Sequence, residues 1–187
     1  MNAEIDALEK QIYDLKAQLR AARRKVTPEP VRDYDLTRAD GTRVRLSELF
    51  GDRREMLLVH NMGRKCVYCT LWADGLQALT DHLQSRVALA IATPDEPAVA
   101  REFAAGRGWR WPMVSTRGTT MTRDLGYEPE PGKHWPGVSA LRKTDGGAIE
   151  RTGRTMFGPG DDFCALWPLF DLLDGGAGNW RPRFEYA

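Results

Sequence analysis

Two cysteines, Cys66 and Cys69, lie between a predicted strand and a predicted helix. Residues 56–59 are continuously apolar and flanked by charge, which is typical of a strand buried on both faces of a sheet. Apolar residues with helical spacing follow from 71 to 83. A buried strand that leads into a helix predicts a βα unit, and the two thiols mark the turn between its two elements.

The other predicted elements also alternate between strands and helices. Further strands are predicted from apolar runs at 87–92, 112–115, 138–142 and 148–151, and hairpin turns from Asp-Gly at 40–41 and 145–146. Helices are predicted at 2–25, 94–107 and 161–173, with shorter helical turns at 47–50 and 119–125. This order predicts an α/β fold with a central mixed sheet that is flanked by helices and parallel in its middle.

The N-terminal helix carries an apolar seam of its own. The seam consists of residues that alternate at steps of three and four, Ile5, Leu8, Ile12, Leu15 and Leu19. About three heptads make a marginal free-standing coiled coil, so two interpretations stay open: the helix lies on its own domain, or it pairs with a second copy in a homodimer. Prolines at 28 and 30 end the helix, which predicts a helical extension at 1–26 and one domain at 27–187.

Composition argues against several classes of function. The chain has 187 residues and a net charge of +1, which argues against nucleic-acid and anionic-membrane partners. It has no run of about 18 apolar residues, and acids stand near its start where a secretion signal needs bases. We therefore expect a cytoplasmic protein. In that reducing compartment a CxxC pair usually serves redox chemistry or metal binding.

The position of the dithiol predicts how it reacts. Cys66 is expected at the start of a helix, where unpaired backbone N–H groups and the helix dipole stabilise a thiolate near neutral pH. Arg64 and Lys65 add positive charge nearby. Cys69 follows about one turn later and can attack a mixed disulfide formed on Cys66. The sequence therefore predicts Cys66 as the nucleophile and Cys69 as the resolving thiol.

The same spacing also occurs in zinc sites and in inert pairs of buried cysteines. A structural zinc needs two further ligands, and the remaining soft candidates are Cys164, His60, His82 and His134, with no second CxxC motif. We therefore predict neither a metal nor a cofactor. Cys164 lies on the apolar face of the last predicted helix and is expected to behave as a small hydrophobic residue.

The segment from residue 56 to Cys69 resembles the active-site segment of the thioredoxin superfamily. Thioredoxins place a buried acidic residue six positions before the first cysteine, and His60 stands there in this chain. The resemblance implies that His60 relays a proton to or from the second thiol, a role that suits its unperturbed pKa near neutrality. The alternative is a histidine that only satisfies a hydrogen bond at the end of the strand.

Thioredoxins also carry a cis-proline opposite the dithiol, just before a hairpin strand. Counting back from the second Asp-Gly turn places either Pro136 or Gly137 at that position. The resemblance further implies a substrate groove beside the dithiol, and the candidates for it are Tyr68, Trp72, Trp135, Pro136 and Gly137. Trp135 borders the loop that is expected to face the thiols.

Across most of its length the chain resembles one narrower group, the DUF899 family of bacterial thioredoxin-like proteins. The matching segments lie at 8–10, 23–24, 46–50, 60–62, 66–69, 72–74, 108–109 and 112–115. Trp-Ala-Asp directly after the CxxC motif is the most distinctive of them. Members of the family have a longer insertion before the first cysteine and often Phe in place of Asn61. The shorter loop here is therefore expected to reshape access to Cys66.

The leading hypothesis is a thiol–disulfide oxidoreductase that acts on a protein or small-molecule disulfide and depends on an external reductant. A peroxiredoxin-type thiol peroxidase is an alternative, although Val59 and Gly63 replace the proline and threonine of its Pro-x-x-x-Thr-x-x-Cys motif. A copper carrier that adds His134 to the dithiol is another, although such carriers use CxxxC spacing and sit at a membrane. A binding scaffold without turnover is the last alternative.

Overall fold

The computed structural model describes residues 2–186 of the chain. The helices are α1 (Ala3–Arg23), α2 (Val67–Ala78), α3 (Thr80–Arg86), α4 (Pro97–Arg107), α5 (Met121–Asp124) and α6 (Leu166–Phe170), with a 3₁₀ helix at Leu46–Phe50. The strands are β1 (Glu29–Val31), β2 (Asp35–Arg38), β3 (Arg43–Arg45), β4 (Glu55–His60), β5 (Ala88–Thr93), β6 (Met113–Ser115), β7 (Gly137–Lys143) and β8 (Ile149–Met156). Met1 and Ala187, the outermost residues of the two predicted segments, lie outside the described residues.

The strands form one mixed sheet in the order β1-β8-β7-β4-β5-β6-β2-β3. At its centre β4, β5 and β6 are parallel, and the hairpins β2–β3 and β7–β8 add antiparallel strands on either side. The predicted α/β fold with a central mixed sheet is therefore confirmed. Because His60 pairs with Ala92, β4 and β5 end side by side, and the loops that follow both strands meet at the same edge of the sheet.

The two faces of the sheet carry separate hydrophobic cores. On one face, Met56 and Leu58 of β4 pack with the 3₁₀ helix and α5. On the other face, Val59 packs with residues of α2 and α4. Side chains alternate along a strand, so His60 lies on the first face with Tyr127, while α2 covers the second face.

Helix α1 confirms the predicted N-terminal helix, and its apolar seam is left uncovered by the rest of the described chain. None of its residues is buried, and the seam side chains are between 46% and 61% exposed. The interpretation in which this seam lies on its own domain is therefore wrong. The division into an extension at 1–26 and a domain at 27–187 stays a prediction. No helix of the described part of the chain is long and apolar enough to cross a membrane.

Three stretches differ from the prediction. The last helix begins only at Leu166 and ends at Phe170, and its late start follows from Pro168, which has no N–H and whose ring would collide with the carbonyl of Cys164 in a helix that began earlier. The helix predicted at 71–83 is divided at Leu79 into α2 and α3. Residues 29–31, expected only to end the first helix, form the edge strand β1, and an edge position tolerates Pro30.

Candidate active site

The dithiol lies where β4 passes into α2, as the sequence predicts. Cys66 is the N-cap residue of α2, and its sulfur accepts a hydrogen bond of 3.0 Å from the Cys69 N–H. The Cys66 carbonyl accepts bonds from the backbone N–H and the hydroxyl of Thr70, at 3.1 and 3.0 Å. Since an N-cap side chain normally satisfies an unpaired N–H of the first turn, the Cys66 sulfur here takes the place of a capping oxygen.

The loop that leads to Cys66 is held by Asp95, which follows β5. The Asp95 carboxylate accepts bonds from the backbone N–H of Arg64 at 2.7 Å and from the hydroxyl of Thr93 at 3.1 Å. It also packs against Gly63, where an added Cβ would meet its oxygen at 3.0 Å. Gly63 has a φ of +100°, a conformation that side chains rarely adopt, so both the turn and the carboxylate require glycine here.

Asp95 was not among the residues predicted for the site, although its position in the sequence carried a signal. It follows a predicted strand that is parallel to β4, and the carboxyl ends of parallel strands share one edge of a sheet. A polar residue just after β5 was therefore a candidate for contact with the segment after β4. Asn61 adds a second restraint, because its side-chain oxygen accepts a bond of 2.7 Å from the Gly63 N–H.

The half-buried Cys66 thiol is set up to ionise. Hydrogen bonding from the Cys69 thiol, together with the backbone N–H groups of Cys69 and Tyr68, lowers the pKa of Cys66 to about 7 against the opposing effect of partial burial. Arg64 and Lys65 have exposed side chains and are not among the causes of this shift. Hydrogen bonds at the helix start, rather than nearby cations, therefore stabilise the thiolate.

Cys69 has the opposite environment. It is buried, and its hydrogen bond to the Cys66 sulfur, burial, and the nearby negative charge all raise its pKa. The Met62 N–H donates to its sulfur at 3.4 Å. Both cysteines are in the free thiol form. One partly accessible thiol with a lowered pKa beside one buried, protonated thiol is the arrangement that two-step disulfide exchange needs.

His60 is buried away from both sulfurs, with an exposed fraction of 2%. Its Nε2 atom shares a hydrogen bond of 3.0 Å with the Ser139 hydroxyl, and its ring stacks on Tyr127 with 3.7 Å between ring centres. Burial, and then the charge of Arg151, lower the pKa of His60 to about 3. The fold therefore moves the pKa of His60 well below the unperturbed value for which a relay role was considered, and no carboxylate of the described residues opposes this shift. Nδ1 has no hydrogen-bond partner among the described residues.

The predicted groove residues divide into buried and accessible groups. Trp72 is only 2% exposed, lies in the core beneath α2, and donates to Asp161 at 3.4 Å. Tyr68 is half-buried between Trp72 and Trp167, with ring centres 6.2 and 6.4 Å away. The structure therefore places Trp72 in the core rather than in a groove wall, while Tyr68 stays partly accessible.

The other groove candidates lie at the start of β7. Trp135 is 43% exposed, and its backbone N–H donates to the Tyr127 carbonyl at 2.8 Å. The Pro136 carbonyl accepts a bond of 2.9 Å from Phe157, and no peptide bond of the described residues is cis. Gly137 pairs with His60 in the sheet, and an added Cβ there would overlap the Thr155 carbonyl at 2.3 Å. Gly137 thus lets β8 and Tyr127 pack closely.

The Trp-Ala-Asp segment after the dithiol is explained by packing. Asp74 accepts hydrogen bonds from Arg107 and from the indole N–H of Trp109, the latter at 2.8 Å. Arg107 in turn donates to the Phe184 carbonyl at 2.7 Å. Asp74 therefore connects α2 to the end of α4, and Arg107 continues the connection to the C-terminal segment.

A metal centre finds no support in the side-chain arrangement. Within residues 2–186, no group of three or more His, Cys, Asp or Glu side chains could hold a metal ion. Cys164 is buried beside Trp167, and burial raises the pKa of its thiol. Its environment is that of the small hydrophobic residue that the sequence predicts.

Several solved structures share this fold. Peroxidoxin BcpB from Mycobacterium tuberculosis is 22% identical, with a TM-score of 0.54 over 70% of this chain and 81% of that chain. AhpC from Enterococcus faecalis is 15% identical, with a TM-score of 0.55 over 72% and 82%. An uncharacterized thioredoxin-like protein from Porphyromonas gingivalis is 16% identical, with a TM-score of 0.50 over 65% and 78%. At these identities the likeness shows the fold.

The mixed sheet with the dithiol at the start of α2 places the chain in the thioredoxin-like fold class. Within this class the chain belongs to the family described as bacterial protein of unknown function, DUF899, which matches residues 2–183. The resemblance found in the sequence is thereby confirmed. No curated protein matches the chain.

Proposed function

We propose that this protein is a thiol–disulfide oxidoreductase of a reducing, cytoplasmic compartment. The Cys66 thiolate attacks one sulfur of a substrate disulfide, forms a mixed disulfide, and expels the other substrate sulfur as a thiolate. Cys69 then loses its proton and attacks the Cys66 sulfur, which releases the second substrate thiol and leaves a Cys66–Cys69 disulfide. An external dithiol reductant returns this disulfide to the two thiols.

The contrast between the two sulfurs carries this proposal. Cys66 is partly exposed with its pKa lowered to about 7, whereas Cys69 is buried with its pKa raised. At neutral pH Cys66 therefore reacts first and Cys69 stays protonated in reserve. Once Cys66 is part of a mixed disulfide, its negative charge is gone, and one cause of the raised pKa of Cys69 disappears with it.

Within this proposal Tyr68 and the exposed Trp135 are the candidates for substrate contact. The backbone next to Trp135 is fixed at two points. The Pro136 carbonyl accepts a hydrogen bond from the Phe157 N–H, and Gly137 pairs with His60 in the sheet. A disulfide flanked by apolar groups would suit such contacts. We expect Trp135→Ala to raise the KM for a peptide disulfide more than it lowers kcat.

The proton relay by His60 stays a prediction. His60 is uncharged at neutral pH, because its pKa is lowered to about 3, so it could serve only as a neutral hydrogen-bonding group. The variant His60→Gln keeps a polar group next to Ser139. A changed shape of the pH–rate profile in this variant would support the relay, and a profile that parallels that of the wild type would refute it.

Trapping of the mixed disulfide tests the proposed function directly. The variant Cys69→Ser is incubated with oxidised insulin, and the products are separated under non-reducing conditions and identified by mass spectrometry. We expect a stable adduct at Cys66 that dithiothreitol releases. The double variant Cys66→Ser/Cys69→Ser is the matched control. Equal adduct formation in the control, or none in Cys69→Ser, would contradict the proposal.

A thiol peroxidase is the second candidate, favoured by the fold that the chain shares with a peroxidoxin and AhpC. In this reaction the Cys66 thiolate attacks a peroxide oxygen, the O–O bond breaks, and the other oxygen leaves as water or an alcohol after it takes up a proton. Cys66 becomes a sulfenic acid, and the Cys69 sulfur attacks it to form the Cys66–Cys69 disulfide with loss of water. The position of the peroxiredoxin threonine is held by Gly63, against which Asp95 packs. Peroxide consumption that outpaces insulin reduction, with sulfenic acid at Cys66, would favour this candidate.

A further inference from the structure

Helix α1 presents an apolar face that its own domain leaves uncovered. Its 21 residues make it about 31 Å long, yet none of them is buried. An ion pair of 2.6 Å between Lys16 and Asp162 connects it to the domain, and Ala17 is only half-buried. The seam faces solvent, and Tyr13 outside the seam is 69% exposed. A helix with one continuous apolar stripe is expected to bury it against another element.

The residue types of the seam fit a second helix of the same kind. Ile5, Ile12 and Leu19 occupy one heptad position, and Leu8 and Leu15 occupy the other. Together the two positions form a continuous apolar seam of about three heptads, the pattern by which helices pair in coiled coils. A second copy of α1 therefore offers a stripe of matching length and shape.

The charges on α1 determine the direction of pairing. Acids lie in the first turn, with Glu9 following, whereas bases lie in the last turn. In a parallel pair, Glu4 of one helix would lie next to Glu9 of the partner subunit, and like charges repel. In an antiparallel pair with full overlap of the seams, Glu9 lies next to Lys16 of the partner subunit, whose exposed ion pair with Asp162 of its own chain is then shared with Glu9 or replaced by it. The two-fold symmetry of the dimer gives this contact twice, and the dipoles of two antiparallel helices attract each other.

We propose that two copies of this chain associate through an antiparallel pairing of their α1 helices. In the central layers Ile12 packs against Leu15 of the partner subunit, and Leu8 packs against Leu19 of the partner subunit. Glu9 and Lys16 of the partner subunit flank the core on each side.

Sedimentation equilibrium on the full chain tests the association. We expect a dimer for the wild type at about 100 μM and for Tyr13→Asp, which places the same charge outside the seam. Leu15→Asp is expected to raise the dimer Kd at least about 100-fold, because each copy loses a buried leucine contact. Far-UV circular dichroism confirms that both variants keep their fold. A monomeric wild type at this concentration, or a Leu15→Asp dimer as tight as the wild type, overturns the proposal.

A charge reversal then tests the direction. Glu9→Lys places two lysines next to each other in the antiparallel pair and is expected to weaken it about three- to tenfold. The double variant Glu9→Lys/Lys16→Glu exchanges both charges and restores the wild-type Kd within about threefold. In a parallel pair Glu9→Lys would instead strengthen association, because the new lysine would face Glu4 of the partner subunit. A tighter Glu9→Lys dimer therefore overturns the antiparallel arrangement.

Discussion

Cys66 and His60 belong to one motif, six residues apart, yet the fold treats these two ionisable side chains in opposite ways. Cys66 lies at the start of α2, partly open to solvent, where hydrogen bonds bring its pKa to about 7. His60 lies on the other face of the sheet, sealed by Tyr127 and Ser139, and burial takes its pKa to about 3. The difference shows that hydrogen-bond donors around an accessible sulfur favour its ionised form, whereas burial without a counter-charge suppresses the ionised form of the histidine.

The largest effect is expected for removal of the reactive sulfur. Cys66→Ser should lower insulin-reducing turnover at least about a thousandfold, because serine is not ionised at neutral pH. Cys164→Ser is the matched control, since this thiol is buried and burial raises its pKa. We expect Cys164→Ser to retain turnover within about threefold. Equal turnover of Cys66→Ser and wild type would show that Cys66 is not the reactive thiol.

The next largest effect is expected for the pH dependence of stability that the buried His60 side chain causes in acid. Its folded pKa of about 3 lies below its unfolded value of 6.5, so the unfolded chain binds a proton first as pH falls. The unfolding free energy should therefore fall between pH 6.5 and pH 3, by about 1.4 kcal/mol per pH unit at most from this residue. Urea unfolding of His60→Gln, which cannot take up this proton, should show a shallower loss. Parallel pH dependences in the two proteins would show that His60 titrates normally.

A smaller effect is expected at the loop that positions Cys66. Asp95→Asn keeps the shape of the side chain but removes the charge that the Arg64 N–H and the Thr93 hydroxyl contact. We expect a loss of about 1–2 kcal/mol in unfolding free energy and a several-fold slower alkylation of Cys66. Asp81→Asn, which disturbs an exposed ion pair with Arg110, should cost less than about 0.5 kcal/mol. Equal losses in both variants would show that Asp95 does not hold this loop.

Local patterns were enough to predict the sheet, the position of α2 and the roles proposed for the two cysteines. A continuous apolar run followed by CxxC encodes a strand, a turn and a helix within 25 residues or so, and each signal depends on neighbours in the chain. The environment of His60 could not be predicted in this way. It depends on Tyr127 and on Ser139 of β7, which lie more than 60 residues further along the chain and contact His60 only in the folded protein.

The same reasoning explains the errors at Trp72 and in the last helix. Trp72 lies about one turn after Cys69 and was predicted to line the groove, but helical periodicity turns it inward against Phe157. The helix predicted at 161–173 was based on its pattern of apolar residues, which gave too little weight to Pro168 and its effect on where α6 begins. Asp95 escaped notice because its role appears only when β4 and β5 are placed side by side.

The acidity of the Cys66 sulfur is tested most directly by the pH dependence of its alkylation with iodoacetamide, followed peptide by peptide in the wild type. The account predicts a rate for Cys66 that rises tenfold per pH unit in acid and levels off near pH 7, while Cys69 and Cys164 stay unmodified there. A Cys66 profile that levels off only above about pH 8.5, as for a free cysteine, would contradict it.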